Sequence, residues 1–154
     1  MAPHSNDVVI VELQKIALKH GGILRAEEVV EEAENRNHPL HKHFLWDDTE
    51  AARRFRAQQA RELISASVRW VKLNGDRRAV RVFVSLSPDR HRGGGYRDSV
   101  AVFSNKNMRD QMLLDALEDL RRWEARYSGL KELSEIYAAS KKIRGRFVDI
   151  LKAA

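Results

Sequence analysis

Three histidines followed by two aspartates make residues 38–48, HPLHKHFLWDD, the stretch most able to do chemistry: His38, His41, His43, Asp47 and Asp48. Imidazole and carboxylate groups are zinc ligands, and the three histidines approximate a facial set. Their spacing matches no established metal site, and Asp47 followed by Glu50 fits the pattern that caps a helix start. Because a capped helix explains both acids, we predict no metal and no cofactor at this stretch.

The glycine-rich stretch GGGYR, residues 93–97, is the second candidate, because glycines let backbone amides approach a phosphate closely. Its spacing fits neither a Walker loop nor a dinucleotide-binding loop. Two interpretations remain: a mobile basic loop that closes on a nucleic-acid backbone, and an ordinary hairpin tip. Since the chain also lacks a convincing nucleophile–base arrangement, we predict that it is not an enzyme.

Composition bounds the class of protein. The 154 residues are 43% hydrophobic and 32% charged, which is typical of a soluble globular domain. The sequence has no cysteine, which excludes disulfides and thiolate metal sites. No stretch approaches the roughly 20 apolar residues of a membrane span. The sequence therefore predicts a cytoplasmic protein without a membrane partner.

Charge is distributed unevenly along the chain. Residues 1–50 carry 5 Lys/Arg against 10 Asp/Glu, whereas residues 51–110 carry 14 against 5. Twelve of those 14 cations are arginines, whose planar donors suit phosphate. This basic segment favours nucleic acid, DNA in the first place, as the partner. A merely solvated basic surface is the alternative.

Apolar spacing predicts a helix over residues 7–20 that ends at Gly21-Gly22, a second over 25–35 and a third over 48–65. In the third helix the predicted inner stripe contains Ala52, Phe55, Gln59 or Ala60, and Leu63. The predicted flanks and outer face contain Arg53, Arg54, Arg56, Gln58 and Arg61.

Residues 66–86 alternate with period two around Asn74-Gly75-Asp76, which is a strong hairpin signal. A three-residue loop over 74–76 would place Trp70 opposite Val80. It would also place Arg69 opposite Arg81 on the exposed face, together with Phe83. Like charges directly opposed cost stability unless an anion lies over them, or unless both side chains splay into water.

Residues 96–103 predict a third strand, and two helical segments from about residue 107 carry a long apolar stripe. That stripe would form core or pack on a second copy, so a homodimer is one predicted assembly. The predicted fold class is α+β, with N-terminal helices, a winged-helix-like hairpin in a three-stranded antiparallel sheet and a C-terminal helical hairpin. Residues 1–104 form the predicted domain, and residues 105–154 form a helical arm.

Four short motifs carry a resemblance that spans residues 20–140: PLH (39–41), WDD…AA (46–52), QAR.LI (59–64) and GGGYR (93–97). They are similar to a family of short proteins encoded by tailed phages and prophages. The resemblance implies a phage or prophage origin and a bacterial cytoplasm. It implies no particular activity.

The order of helices, a basic helix and a hairpin is that of a winged helix-turn-helix, so the sequence predicts a DNA-binding accessory protein. The predicted contacts from helix 48–65 are Arg53, Arg54, Arg56, Gln58 and Arg61. The predicted backbone contacts from the hairpin and glycine-rich loop are Arg69, Arg81, Arg90, Arg92 and Arg97. The alternative is a non-enzymatic adaptor or inhibitor whose basic face meets an acidic host or virion protein.

Overall fold

The computed structural model describes residues 5–46, 49–73, 75–91 and 93–152. Its fold is a mixed α+β fold dominated by helices, which confirms the predicted class. Two compact units follow each other in the chain, residues 1–104 and residues 105–154. Within the described ranges, no helix is both long and apolar enough to cross a membrane.

Helices and short strands alternate in the first unit. Its described elements are α1 (Ser5–Lys19), α2 (Ala26–Ala33), α3 (Glu50–Ala66), β1 (Val68–Leu73), β2 (Asp76–Arg81), β3 (Phe83–Val84), α4 (Ser87–His91), β4 (Arg97–Asp98) and α5 (Ser99–Ser104). A 3₁₀ turn, His41–His43, lies between α2 and α3. The second unit contains α6 (Lys106–Tyr127), a 3₁₀ turn (Lys131–Leu133) and α7 (Ser134–Lys152).

The apolar core of the first unit is built largely on α1 and α2, whose inward residues recur at helical spacing. α1 ends where the sequence predicts. The amide of Gly22 donates to the carbonyl of Ala17 at 2.7 Å, and that of Gly21 donates to Leu18 at 3.3 Å. Gly21 has a φ of 71°, so the pair forms the left-handed closing motif that satisfies the last carbonyls of a helix.

Helix α3 begins at Glu50, and its N-cap is Thr49. The hydroxyl of Thr49 accepts a hydrogen bond from the amide of Ala52 at 3.2 Å, which satisfies one of the free amides of the first turn. The caps predicted from the sequence, Asp47 and Asp48, lie outside the described residues.

The predicted inner stripe of α3 is right at Ala60, which is fully buried, and at Leu63, which packs partly buried against the core, but it is wrong at Phe55. Phe55 is 49% exposed, whereas Arg56 is 7% exposed and lies in the buried stripe with Ile64. Arg56 tolerates burial because its Nη1 donates to the carbonyl of Leu45 at 3.1 Å. Its guanidinium also lies 5.2 Å from the centroid of the Trp46 ring, a cation–π contact.

Strands β1 and β2 pair antiparallel through a two-residue connection, so the predicted register is wrong by one residue. The observed partners include Val68–Arg81, Arg69–Val80, Trp70–Ala79 and Leu73–Asp76. Gly75 has a φ of 92°, a conformation that tight two-residue hairpin turns require. Arg69 and Arg81 therefore lie on opposite faces of the hairpin.

The chain leaves this hairpin at Val82. The amide of Val82 donates to the carbonyl of Ser67 at 3.0 Å, and its own carbonyl accepts from the amide of Ser99 at 2.7 Å. Val82 and Phe83 are consecutive and both 2% exposed, so the strict alternation predicted through this stretch stops here. Phe83, predicted on the exposed face, lies in the core.

A second two-stranded sheet replaces the predicted third strand of a single sheet. In it, β3 pairs with β4, with Phe83 opposite Asp98 and Val84 opposite Arg97. The predicted strand over 96–103 ends at Asp98, whose Oδ1 accepts a hydrogen bond from the amide of Val100 at 2.8 Å. This contact starts a helix, so α5 occupies the rest of the segment.

The second unit contains the two helical segments that the sequence predicts. The rings of Trp123 on α6 and Tyr137 on α7 lie 6.0 Å apart. Nη1 of Arg144 lies 2.6 Å from a carboxylate oxygen of Glu124. The Ser140 hydroxyl, together with Arg144, holds the pKa of Glu124 below its usual value. Ion pairing and aromatic contacts thus join α6 to α7.

We predict that Trp46→Ala lowers the free energy of unfolding by about 2–4 kcal/mol, because it removes a ring that stacks on His41 and covers Arg56. Trp70→Ala is the matched control, since the ring of Trp70 is 60% exposed, and it is expected to cost at most about 1 kcal/mol. Urea unfolding followed by circular dichroism measures both. Equal losses in the two variants would contradict this packing.

Candidate nucleic-acid interface

The β1–β2 hairpin stands exposed on both of its faces. Trp70 is 60% exposed, an unusual position for the largest apolar side chain. Its exposed neighbours on the two strands are Arg69, Lys72, Asp76, Arg77, Arg78, Ala79 and Arg81. Five cations against one acid make this hairpin strongly basic.

The register divides these residues between two faces, because paired residues project to the same side of a sheet. The Trp70 face contains Val68, Trp70, Lys72, Arg77, Ala79 and Arg81. The Arg69 face contains Arg69, Val71, Asp76, Arg78 and Val80. Three cations and no acid lie on the Trp70 face, whereas the Arg69 face has two cations and an acid. Arg78 there approaches Asp76 at 3.9 Å.

Two cations are directly opposed on the Trp70 face, because Lys72 pairs with Arg77. Such a pair costs stability in the absence of an anion. The guanidinium of Arg77 lies 5.8 Å from the centroid of the Trp70 ring, which offsets part of that cost. The face therefore offers an exposed indole beside closely spaced positive charges.

Helix α3 presents a second basic surface, which contains Arg54, Gln58 and Arg61 and is exposed. Nε2 of Gln58 donates to Glu62 at 3.0 Å, and Nη2 of Arg61 donates to Glu27 of α2 at 3.3 Å. These three residues follow each other at intervals of three or four, so they lie along one side of the helix.

Arg53 is exposed but lies on another side of α3. It lines a cavity of about 580 Å³ together with Glu27 and Glu31 of α2 and Glu34, the C-cap residue of that helix. Arg56 lies in the buried stripe, so its predicted place on the flank or outer face of α3 is wrong. Two of the five residues predicted on α3 therefore lie away from the exposed surface that carries Arg54, Gln58 and Arg61.

The arginines of the glycine-rich region make internal contacts. Both Nε and Nη2 of Arg97 donate to the carboxylate of Asp89 at 2.7 Å, and Asp89 is buried. This hydrogen-bonded carboxylate raises the pKa of Arg97 despite partial burial. Arg90 donates to the carbonyl of Ser85 at 2.7 Å and to the hydroxyl of Ser87 at 2.6 Å. Arg92 lies outside the described residues.

Of the three histidines first considered as metal ligands, His41 and His38 have separate partners. Nδ1 of His41 lies 2.8 Å from the last carbonyl of α2, and its ring stacks on Trp46 at 4.7 Å. Nε2 of His38 lies 3.6 Å from the carboxylate of Glu12. Within the part of the chain that the structure describes, no three potential ligands are grouped to hold a metal ion. His41 and Trp46 instead stabilise the connection between α2 and α3 by stacking on each other and by hydrogen bonding to its backbone.

Comparison of the chain with known protein families, characterised proteins and solved structures finds no match. Sequence reasoning missed Lys72, Arg77 and Arg78, as well as the exposure of Trp70. The sequence does indicate the correct register through Asn74-Gly75, because that dipeptide favours a two-residue hairpin loop. A function must be inferred from the exposed basic surface itself.

Burial, reinforced by the charge of Lys42, lowers the pKa of His43 from its ordinary value of 6.5. The unfolded chain therefore binds a proton at this site more readily than the folded chain does. We expect the free energy of unfolding to decrease as the pH falls from about 7.5 to about 5, through and below the unfolded pKa. His43→Gln should remove part of this decrease in urea titrations at the two pH values. An identical pH dependence in both proteins would contradict the prediction.

Proposed function

We propose that the protein binds nucleic acid, DNA in the first place, through the Trp70 face of the hairpin and the exposed surface of α3. The observation that carries this proposal is the hairpin itself, exposed on both faces and bearing five cations against Asp76. An exposed aromatic residue among arginines is the usual composition of a nucleic-acid-binding surface.

The arrangement of the Trp70 face supports an anionic partner. The opposition of Lys72 and Arg77 lowers the stability of the hairpin when no anion is bound. A phosphate between the two cations would replace this repulsion by attraction. Trp70 adds a flat apolar surface on which an unpaired base can stack or which can enter a groove. Both properties lie on the same face.

The chain order supports a winged-helix mode of binding, in which α3 takes the place of the recognition helix and the β1–β2 hairpin that of the wing. Residues 34–49 separate α2 from α3, which is longer than the usual turn of a helix-turn-helix. The proposed contacts of α3 are Arg54, Gln58 and Arg61. We propose that the protein is a phage or prophage accessory protein that acts in the bacterial cytoplasm.

A protein partner is the second candidate, favoured by an apolar cleft of about 550 Å³ in the first unit. Its lining includes Ala17, Leu18, Arg69, Asp98, Val100 and Ala101. Leu18 is 79% exposed at this cleft. A cleft bordered by the basic hairpin would suit an acidic segment with an apolar face.

Titration against a short duplex and a single strand of DNA tests the first proposal. If the three cations of the Trp70 face and the two arginines of α3 contact phosphates, the log–log slope of duplex affinity against salt should be about −4.5. Affinity should then fall several hundredfold between about 50 and 200 mM salt. Absence of binding to either form at low salt would exclude the nucleic-acid proposal and favour the protein partner.

Two double variants of the hairpin separate its faces while removing equal charge from both strands. Lys72→Thr with Arg77→Thr should flatten the duplex salt slope by about two units, and should leave the melting temperature unchanged or slightly higher. Arg69→Thr with Arg78→Thr is the matched control and should change the slope less than half as much. If both variants change the slope equally, binding depends on overall charge and the Trp70 face has no special role.

A further inference from the structure

A small cavity of about 200 Å³ lies where α2, α3 and α4 approach the glycine-rich loop. Three arginines from different elements line it, together with an acid and several small residues. The lining residues are Arg25, Ala26, Glu27, Arg61, Ser85, Arg90, Gly93, Gly94, Gly95 and Tyr96. Three cations and one carboxylate leave a positive interior.

Two of these arginines are oriented by glutamates of α2. Nη1 of Arg25 donates to Glu28 at 2.8 Å, and Glu28 also accepts the amide of Arg25 at 3.2 Å. Nη2 of Arg61 donates to Glu27 at 3.3 Å. These contacts orient both side chains. Because a guanidinium carries five N–H donors, each of the two arginines has further donors that a ligand can use.

Arg90 is fixed by neighbours on its own segment. It donates from Nη1 to the carbonyl of Ser85 and from Nη2 to the hydroxyl of Ser87. The side chain is thereby held at the edge of the cavity before any ligand arrives. Orientation in advance reduces the entropy lost when a ligand binds.

The glycine-rich loop forms the remaining wall without side chains. Gly93 and Gly94 have φ values of 90° and 83°, and a Cβ on either would point into open space. Gly95 admits no side chain, since a Cβ there would lie 2.6 Å from the side chain of Ile23. The residue after Gly95 pairs through its main chain with Leu24 at 2.7 and 2.8 Å. The loop is therefore anchored, and its backbone borders the cavity directly.

We propose that Arg25, Arg61 and Arg90 bind a single phosphate group in this cavity. Its volume is below the range of about 300–1,000 Å³ that is usual for sites enclosing a whole small molecule, so a small anionic group fits best. Guanidinium groups bind phosphate through paired, charge-assisted hydrogen bonds. Glu27 and Glu28 offset part of the charge of Arg61 and Arg25, and the cavity lining keeps a positive balance of three cations to one carboxylate.

The phosphate could belong to a nucleic-acid backbone or to a free phosphorylated molecule. The first source rests on the proposed function, because Arg61 lies both on the exposed surface of α3 and at this cavity. The second source requires no nucleic acid. The same binding chemistry serves both, so the experiment must distinguish them.

Isothermal titration with inorganic phosphate, against chloride at equal ionic strength, tests the site in the full-length protein. We expect saturable binding of one phosphate per chain and at least a tenfold loss of affinity in Arg61→Gln. Arg54→Gln, on the same helix but outside the cavity lining, is the control and should bind as the wild type does. If Arg61→Gln fails to fold, Arg90→Gln provides the same test. Equal responses to phosphate and chloride, or an equal loss in Arg54→Gln, would overturn the proposal.

Duplex DNA titrated into the same variants identifies the source. A loss of duplex affinity in Arg90→Gln, with a salt slope flatter by about one unit, supports a backbone phosphate. Loss of phosphate binding with unchanged duplex affinity overturns that source and supports a free phosphorylated ligand. A wild-type protein that binds phosphate but no nucleic acid would refute the proposed function and retain the site. The variant Lys72→Thr with Arg77→Thr should keep its phosphate affinity in either case.

Discussion

The peptide of Val82 joins the parts of the first unit that determine how the hairpin projects. Its amide pairs with Ser67, directly after α3, and its carbonyl pairs with Ser99, at the start of α5. Val82 is buried, so leaving either group unpaired would be costly. An isolated two-stranded hairpin is marginally stable in water. This anchored base is what allows β1 and β2 to form a hairpin exposed on both faces.

Local sequence rules predicted the elements of the fold better than their phases. Helical periodicity with Gly21-Gly22 located α1, and Asn74-Gly75 located the hairpin. The register failed because the alternation of valines was extended through Val82, where the chain passes from one sheet to the other. The third predicted strand failed because a side-chain cap at Asp98 turns the chain into a helix. Long-range backbone hydrogen bonds of Val82 decided the first point, and a local cap decided the second.

Composition located the basic region of the candidate site, but not the role of each arginine. Arg56 and Arg97 resemble their neighbours in the sequence, yet the first is covered by Trp46 and the second is held by Asp89. Those contacts join segments that pattern alone does not bring together: the connection before α3, and a short helix folded back on β4. Lys72 was overlooked because its opposition to a cation follows only from the correct register. An arginine can therefore be assigned to the core or to the exposed surface only when its contacts in the folded protein are known.

The distribution of acids explains why two kinds of basic site occur in one small unit. Near the cavity, Glu27 and Glu28 contact Arg61 and Arg25, so those guanidinium groups are oriented and their repulsion is reduced. None of the six described hairpin residues that form the Trp70 face is acidic, and its cations Lys72, Arg77 and Arg81 are exposed. Solvated charges act over about a Debye length and govern encounter with an anion, whereas oriented donors act only at contact. In the proposed interface, the hairpin would therefore attract a polyanion at a distance, and the cavity would fix the position of one phosphate.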